Sequence, residues 1–313
     1  MTYFKVSFEV HKESFRQLPH TKFNFKSSVM KRSYPYVLLS LLFLSLYSCS
    51  DKPNQLELNN LKGEVVKTKT TRYEATEKFG EIEASDEVEN IIVESYDENG
   101  YYVSLIEYSE DGDEMEKYVY TYEDGILTEY KWYFRDELSF HEKGTVSDGK
   151  ITERVTWMND TETTSKLTYD GDKISKEEYV SDGKEGSKIY THLDDYGSFD
   201  MVDEFDGEEI LTEVRNNSYH RRLSFETPTF SHTCEYDENG DLVKDKMLNF
   251  RDGKVTYTED NEYVYTKYDD NDNWTERNVY KDDKLKYVEK REITYNEDSS
   301  ILNFFSKLKK KLF

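Results

Sequence analysis

The sequence predicts an all-β chain: an extended, twisted antiparallel β-meander of repeated hairpins, forming an open or curled single sheet. Three observations predict it. Nine of the fourteen glycines directly follow Asn or Asp, from Asn99-Gly100 to Asp252-Gly253. Those dipeptides tolerate the positive φ angles of tight hairpin turns. Most recur near one or two multiples of twelve residues, which accommodates a strand of about eight and a turn of about four. Between them, β-branched and aromatic residues alternate with polar ones, and only Pro228 interrupts the chain after Gln55.

Composition sets the outer bounds. Acids outnumber bases 66 to 42, for a net charge of −24. A surface of that sign argues against nucleic acid as a partner, since phosphate binding needs a basic face. The 27 tyrosines make up much of the hydrophobic fraction, so a thick aliphatic core is out of reach. An aromatic share of 15% equally excludes a disordered chain.

The first element is an address. Residues 30–49 read MKRSYPYVLLSLLFLSLYSC, with Lys31 and Arg32 ahead of an apolar run from Tyr36 to Tyr47. That run is too short to span a bilayer, which takes about twenty residues, but it suits a signal peptide. Its end, Leu46-Tyr47-Ser48-Cys49, resembles the lipobox of bacterial lipoproteins. The resemblance implies cleavage before Cys49 and acylation of that cysteine. Residues 1–29 then read as an upstream extension, 30–48 as the signal peptide, and 49–60 as the lipidated cysteine with its tether. Ser50 after the cysteine implies export to the outer membrane, and Asp51 resembles the surface-export signals of Bacteroidota lipoproteins.

The body, 61–300, is the repeat. In 126–134, Ile126, Thr128, Tyr130, Trp132 and Phe134 alternate with Leu127, Glu129, Lys131 and Tyr133. In 116–122, Tyr118, Tyr120 and Tyr122 alternate with Lys117, Val119 and Thr121. In 151–157, Ile151, Glu153, Val155 and Trp157 share one side. YDENG at 96–100 and 236–240, YSEDG at 108–112, YEDG at 122–125 and YDDNDNW at 268–274 resemble the tyrosine-aspartate (YD) repeats of RHS-like proteins. Similar motifs mark uncharacterised Bacteroidota lipoproteins, whose opening segment resembles LKGEVVKTKTTRYEATEKFGEIE at 61–83. Asp272 stands where that pattern has glycine, which puts a regular turn there in question. The rhythm also lapses between Gly207 and Gly240, and 208–235 reads as a loop or as a seam between two halves. The tail, 301–313, spaces Ile301, Phe304, Phe305, Leu308 and Leu312 as a short amphipathic helix with Lys307 and Lys309 to Lys311 around it.

Chemistry is thinly marked. No phosphate loop, nucleophile elbow, HExxH or CxxC pair occurs. His232, Cys234 and Asp237, with His220, have the residue types of a zinc site, but one His-x-Cys beside a turn is more often structural. Asp269 to Asn273 offers calcium-loop oxygens without the glycine and distal glutamate of an EF-hand. Arg215, His220, Arg221 and Arg222 form the one basic patch of the body. No cofactor, metal or catalytic residue is assigned.

The reading is therefore a non-catalytic binding or interaction scaffold in the cell envelope, anchored in the outer membrane through Cys49, with an envelope glycan or a protein as partner. A glycan-processing enzyme and an immunity lipoprotein against a secreted toxin stay open as alternatives. The candidate binding face is aromatic: Tyr118, Tyr120, Tyr122, Tyr130, Trp132, Phe134 and Trp157, unless those rings form the buried side of the sheet.

Overall fold

The structure, a computed structural model, describes residues 53–158 and 161–296. The signal peptide, Cys49 and the tail helix expected for 301–313 lie outside the described residues. Alternation of side chains produces strands throughout. In order they are β1 (Val65–Lys78), β2 (Glu81–Tyr96), β3 (Tyr102–Ser109), β4 (Glu114–Glu123), β5 (Ile126–Phe134) and β6 (Glu137–Ser147). Next come β7 (Lys150–Met158), β8 (Thr161–Asp170), β9 (Lys173–Ser181), β10 (Lys184–His192), β11 (Phe199–Phe205) and β12 (Glu208–Asn216). The last are β13 (Arg222–Thr227), β14 (Phe230–Tyr236), β15 (Leu242–Arg251), β16 (Lys254–Tyr268), β17 (Trp274–Lys281) and β18 (Lys284–Tyr295). One four-residue helix, α1 (Gln55–Leu58), precedes them.

Each strand pairs antiparallel with the next, and the sheet does not stay open. Val65 pairs with Tyr295, and the β1–β18 ladder runs on to Glu74 and Tyr287. The result is a closed barrel of eighteen strands, not the open or curled sheet that the repeat predicts. Closure removes both unpaired edges, which a long meander would otherwise expose to aggregation.

The segment 208–235 is neither a loop nor a seam. It holds β12, β13 and most of β14, with turns at 217–221 and 228–229. The rhythm continues there without its glycine. Two turn designs recur between the described strands. In the first, both central residues of a two-residue turn have positive φ, as in Asp124-Gly125, Arg135-Asp136 and Asp282-Asp283. That geometry matches the right-handed twist of the strands it joins. The second design spans five residues and begins with Asp or Asn. At Asp97, Asp194, Asn217, Asp237 and Asp269, Oδ1 accepts the N–H groups of the third and fifth residues. The fourth residue is left-handed in each: Gly100, Gly197, His220, Gly240 and Asp272. Asp272 therefore makes the regular turn that its side chain put in question.

Register divides the wall into two faces. Tyr130, Phe199 and Phe225, each no more than 1% exposed, belong to one; Val180 and Leu211, at 42% and 47%, belong to the other. The buried face is the inner one. Leu56 and Leu61 pack on Tyr102, Ile293 and Tyr295 of that face. From there the same short segment reaches turns eight strands apart. Asn54 Nδ2 donates to the Asn99 carbonyl, while Arg221 Nη2 donates to the Glu57 carbonyl and to Asn60 Oδ1. Only from the concave side do nine residues touch both. Residues 54–62, of which the sequence places 54–60 in the tether, thus plug one end of the barrel.

Candidate functional site

The inner wall is an ordered aromatic and ionic lining. Ring contacts run from strand to strand: Tyr96 to Tyr102 at 5.2 Å, Tyr102 to Tyr120 at 5.5 Å, Tyr120 to Tyr130 at 5.3 Å and Tyr130 to Phe140 at 5.6 Å. Tyr118 stacks on Trp132 and donates to the Glu116 carboxylate. Burial raises that carboxyl above its ordinary range, and the bond from Tyr118 only partly offsets it. Further round, Arg154 pairs with Glu142 at 2.9 Å, and Lys188 approaches Glu177 at 3.6 Å. Burial also raises Glu142, against the pull of Arg154. At Glu177 burial is overcome by Lys188 and Arg154, which hold it down at about 2. On the far wall Glu289 accepts from Arg72 at 2.6 Å and from Arg277 at 2.6 Å. It too sits at about 2, because the two guanidinium groups outweigh its burial. Trp274 lies between Arg291 and Arg277, at 3.6 and 4.4 Å from its ring centre.

The aromatic candidates divide between the two faces. Tyr118, Tyr120, Tyr130, Trp132 and Phe134 point inward, and Tyr122 stacks on Tyr101 at the plugged end. Trp157 points outward. Its register partner is His141, which opposes Lys131 in β5, so Trp157 shares a face with Lys131 and not with Tyr130. The indole stacks on His141 at 4.7 Å and donates to Glu162 at 3.0 Å. One continuous aromatic platform is therefore ruled out; five of the seven rings are wall lining.

Other sequence candidates are dispersed. His232 Nε2 lies 3.6 Å from Cys234 Sγ on the inner wall. Asp237 spends its carboxylate on its own turn, and His220 meets Tyr196 edge-on in another. Burial lifts the Cys234 thiol to about 12, which leaves it a poor nucleophile. Among the described residues no three His, Cys, Asp or Glu side chains are placed to hold a metal ion. Within Asp269–Asn273, the Asp269 carboxylate caps its own turn and accepts from Tyr295, while Asn273 Oδ1 accepts from Lys62 N and its Nδ2 donates to Lys62 O of the plug. The basic patch separates likewise. Arg215 faces out to Asp200 and Glu213, Arg221 crosses the mouth, and Arg222 donates to Asn216.

What composition did not announce is a groove of about 890 Å³ on the outer wall, across β7 to β11. Register builds its floor. One row runs Glu153, Lys166, Glu178, Ser187, Glu204; the next runs Val155, Thr164, Val180, Glu185. Trp157 lies two residues beyond Val155 on the same face. Glu178 pairs with Lys176 at 2.6 Å, and that hydrogen bond keeps its carboxyl below the ordinary range. Glu153, Glu185 and Glu204 are exposed and have no ion pair or hydrogen bond among the described residues. No sequence signal marks this site, because it depends on five strands entering in register.

No family model matches the chain, and neither does any curated protein. Among solved structures, a porin-like protein from Bacteroides uniformis aligns over 74% of this chain and 99% of its own length, at 11% identity and a TM-score of 0.37. A second porin-like protein, from Bacteroides vulgatus, aligns over 74% and 98%, at 14% identity and a TM-score of 0.34. Likeness at this level carries nothing about activity.

Proposed function

We propose that the chain is a non-catalytic envelope lipoprotein of the YD-repeat kind, held at the outer membrane by lipid on Cys49, which binds its ligand in the outer groove. The groove carries the reading. It combines a cavity of ligand size with an apolar floor, hydroxyls and unpaired charge. The state of the carboxyls supports a binding role over hydrolysis. A general acid needs a raised pKa, but Glu178 in the groove is held ionised. The raised carboxyls, Glu116 and Glu142, belong to the other face and are held by Tyr118 and Arg154. The plug begins five residues after Cys49, so the closed end would stand within about 18 Å of the lipid, with the opposite end pointing away.

The test fills the groove. Thr164→Tyr with Ser187→Tyr is expected to abolish binding found in a screen of envelope polysaccharides and peptides, with the melting curve unchanged. Binding that survives the double variant would overturn the groove as the site. Intact mass of the membrane-extracted protein is expected to show a lipidated Cys49, lost in Cys49→Ala.

A further inference from the structure

We propose that the groove is a receptor for a lysine-rich, partly apolar peptide, and that its occupant is the C-terminal run 301–313 of a second copy of this chain. The inference rests on the groove being a ligand site and adds the class of ligand. Five carboxylates line it, from Glu153, Glu178, Glu185, Glu204 and Asp206, against Lys166 and Lys176. Arg154 also borders it but spends its charge on Glu142 at the inner face. Lys176 neutralises Glu178 and Lys184 neutralises Asp206, which leaves three unpaired acids around a floor of Val155 and Val180. A cation with apolar flanks satisfies both features at once. In a chain of net charge −24, residues 301–313 supply four lysines, no acid and seven large apolar side chains. Opposite charge across such a surface speeds encounter and fixes register.

Reach makes the contact intermolecular. Asn296 donates to the Glu64 carbonyl at the plugged end, beside β1. From there to the groove's centre is nine strand spacings and about six residues of strand, roughly 45–50 Å along the wall. Lys307 follows eleven residues after Asn296, a span of at most about 40 Å when fully extended. Fully extended, only Lys310 and Lys311 of the same copy, at about 50 and 54 Å, span that distance, while Ile301 to Phe305 stop at about 32 Å or less, so one copy cannot lay the whole run in its own groove and a neighbour can.

A fluorescein-labelled peptide of sequence 301–313 is titrated into the full chain carrying Lys→Glu at 307, 309, 310 and 311, followed by anisotropy. Saturable binding is expected, weakened about tenfold or more at roughly 0.5 M salt and abolished by Glu153→Lys with Glu204→Lys. The native chain is expected to associate with rising concentration in sedimentation, and the tail variant to remain monomeric. Equal binding to the groove variant, or none at all, overturns the proposal. If the peptide fails while another ligand is lost on filling the groove, the groove stands as a site and only this occupant is wrong.

Discussion

Glu289 shows how single residues hold the wall together. It is 3% exposed and lies between Arg72 and Arg277, so two cations offset the cost of burying one carboxylate. Its depression to about 2, like that of Glu177, ties stability to pH. A depressed carboxyl contributes stability above its unfolded value of about 4.5 and loses it as pH falls through about 2. Each is worth on the order of 3 kcal/mol across that window. Glu142 acts in the opposite sense, because a raised carboxyl is protonated more readily in the native barrel than in the unfolded chain. Denaturant titrations between pH 7 and pH 2 are expected to show stability falling below pH 4.5. Glu289→Gln is expected to start lower and fall less; an unchanged acid limb would remove Glu289 from this account. The sequence shows these acids and bases only as solvated strand positions. Which of them face inward follows from register, and a one-residue shift exchanges the faces. Trp157 is the clear instance: alternation groups it with Glu153 and Val155 but cannot say which side of β5 they join, and a bulge at Thr152 turns Ile151, expected on their side, to the buried face.

Turns are the elements that organise the plugged end. The five-residue turns at Asp97, Asn217, Asp237 and Asp269 all touch residues 54–62 or side chains that hold them. Their open backbone offers carbonyls that a two-residue turn buries in its own ladder. Gly240 is needed there for space: a Cβ would stand 1.8 Å from Arg221 Nη1, the group that crosses to the Glu57 carbonyl through its partner nitrogen. Gly240→Ala is expected to cost more than about 1 kcal/mol, since it adds strain at positive φ to the loss of that contact. It should also make the segment before Val65 sensitive to protease. Asp272 sits at φ 60 with its side chain outside the turn's own hydrogen bonds, so Asp272→Gly is expected to stabilise by roughly 0.5–1 kcal/mol. Paired melting curves check both, and a neutral Gly240→Ala would detach Arg221 from the plug. The strand rhythm was legible wherever glycine held the fourth place of a turn. It was lost at His220 and Asp272, because the essential residue is the leading Asx, whose side chain caps two N–H groups whatever follows.

At the scale of the whole barrel, closure and surroundings are the remaining questions, and neither is written in a local pattern. Pairing Val65 with Tyr295 joins the two ends of the repeat, so periodicity alone leaves open sheet and closed barrel equivalent. The outer wall bears on the surroundings. A barrel that spans a bilayer turns an apolar band about 25 Å tall to the lipid, and each lysine at its midplane costs about 2–4 kcal/mol. Here Lys69 pairs with Glu292, Lys131 and His141 with Glu129, Lys246 with Asp260 and Lys267 with Glu276, all outward. Apolar side chains on that face occur in small groups, Ile91, Val93, Ile106 and Tyr108 on β2–β3 and Val180, Ile189, Val202 and Leu211 on β9–β12. Two such groups, interrupted by the charged pairs, do not make a belt around eighteen strands. The charged wall fits water, while the aromatic wall faces its own lumen, so under the proposed reading the hold on the membrane is lipid on Cys49 and not the described strands. Cys49→Ser, exported behind a cleavable soluble-protein signal, is therefore expected to leave cells in the soluble fraction without detergent, with its β-sheet circular dichroism intact. Retention in the membrane pellet after alkaline carbonate, together with heat-dependent migration on a denaturing gel, would show instead that the strands themselves cross the bilayer.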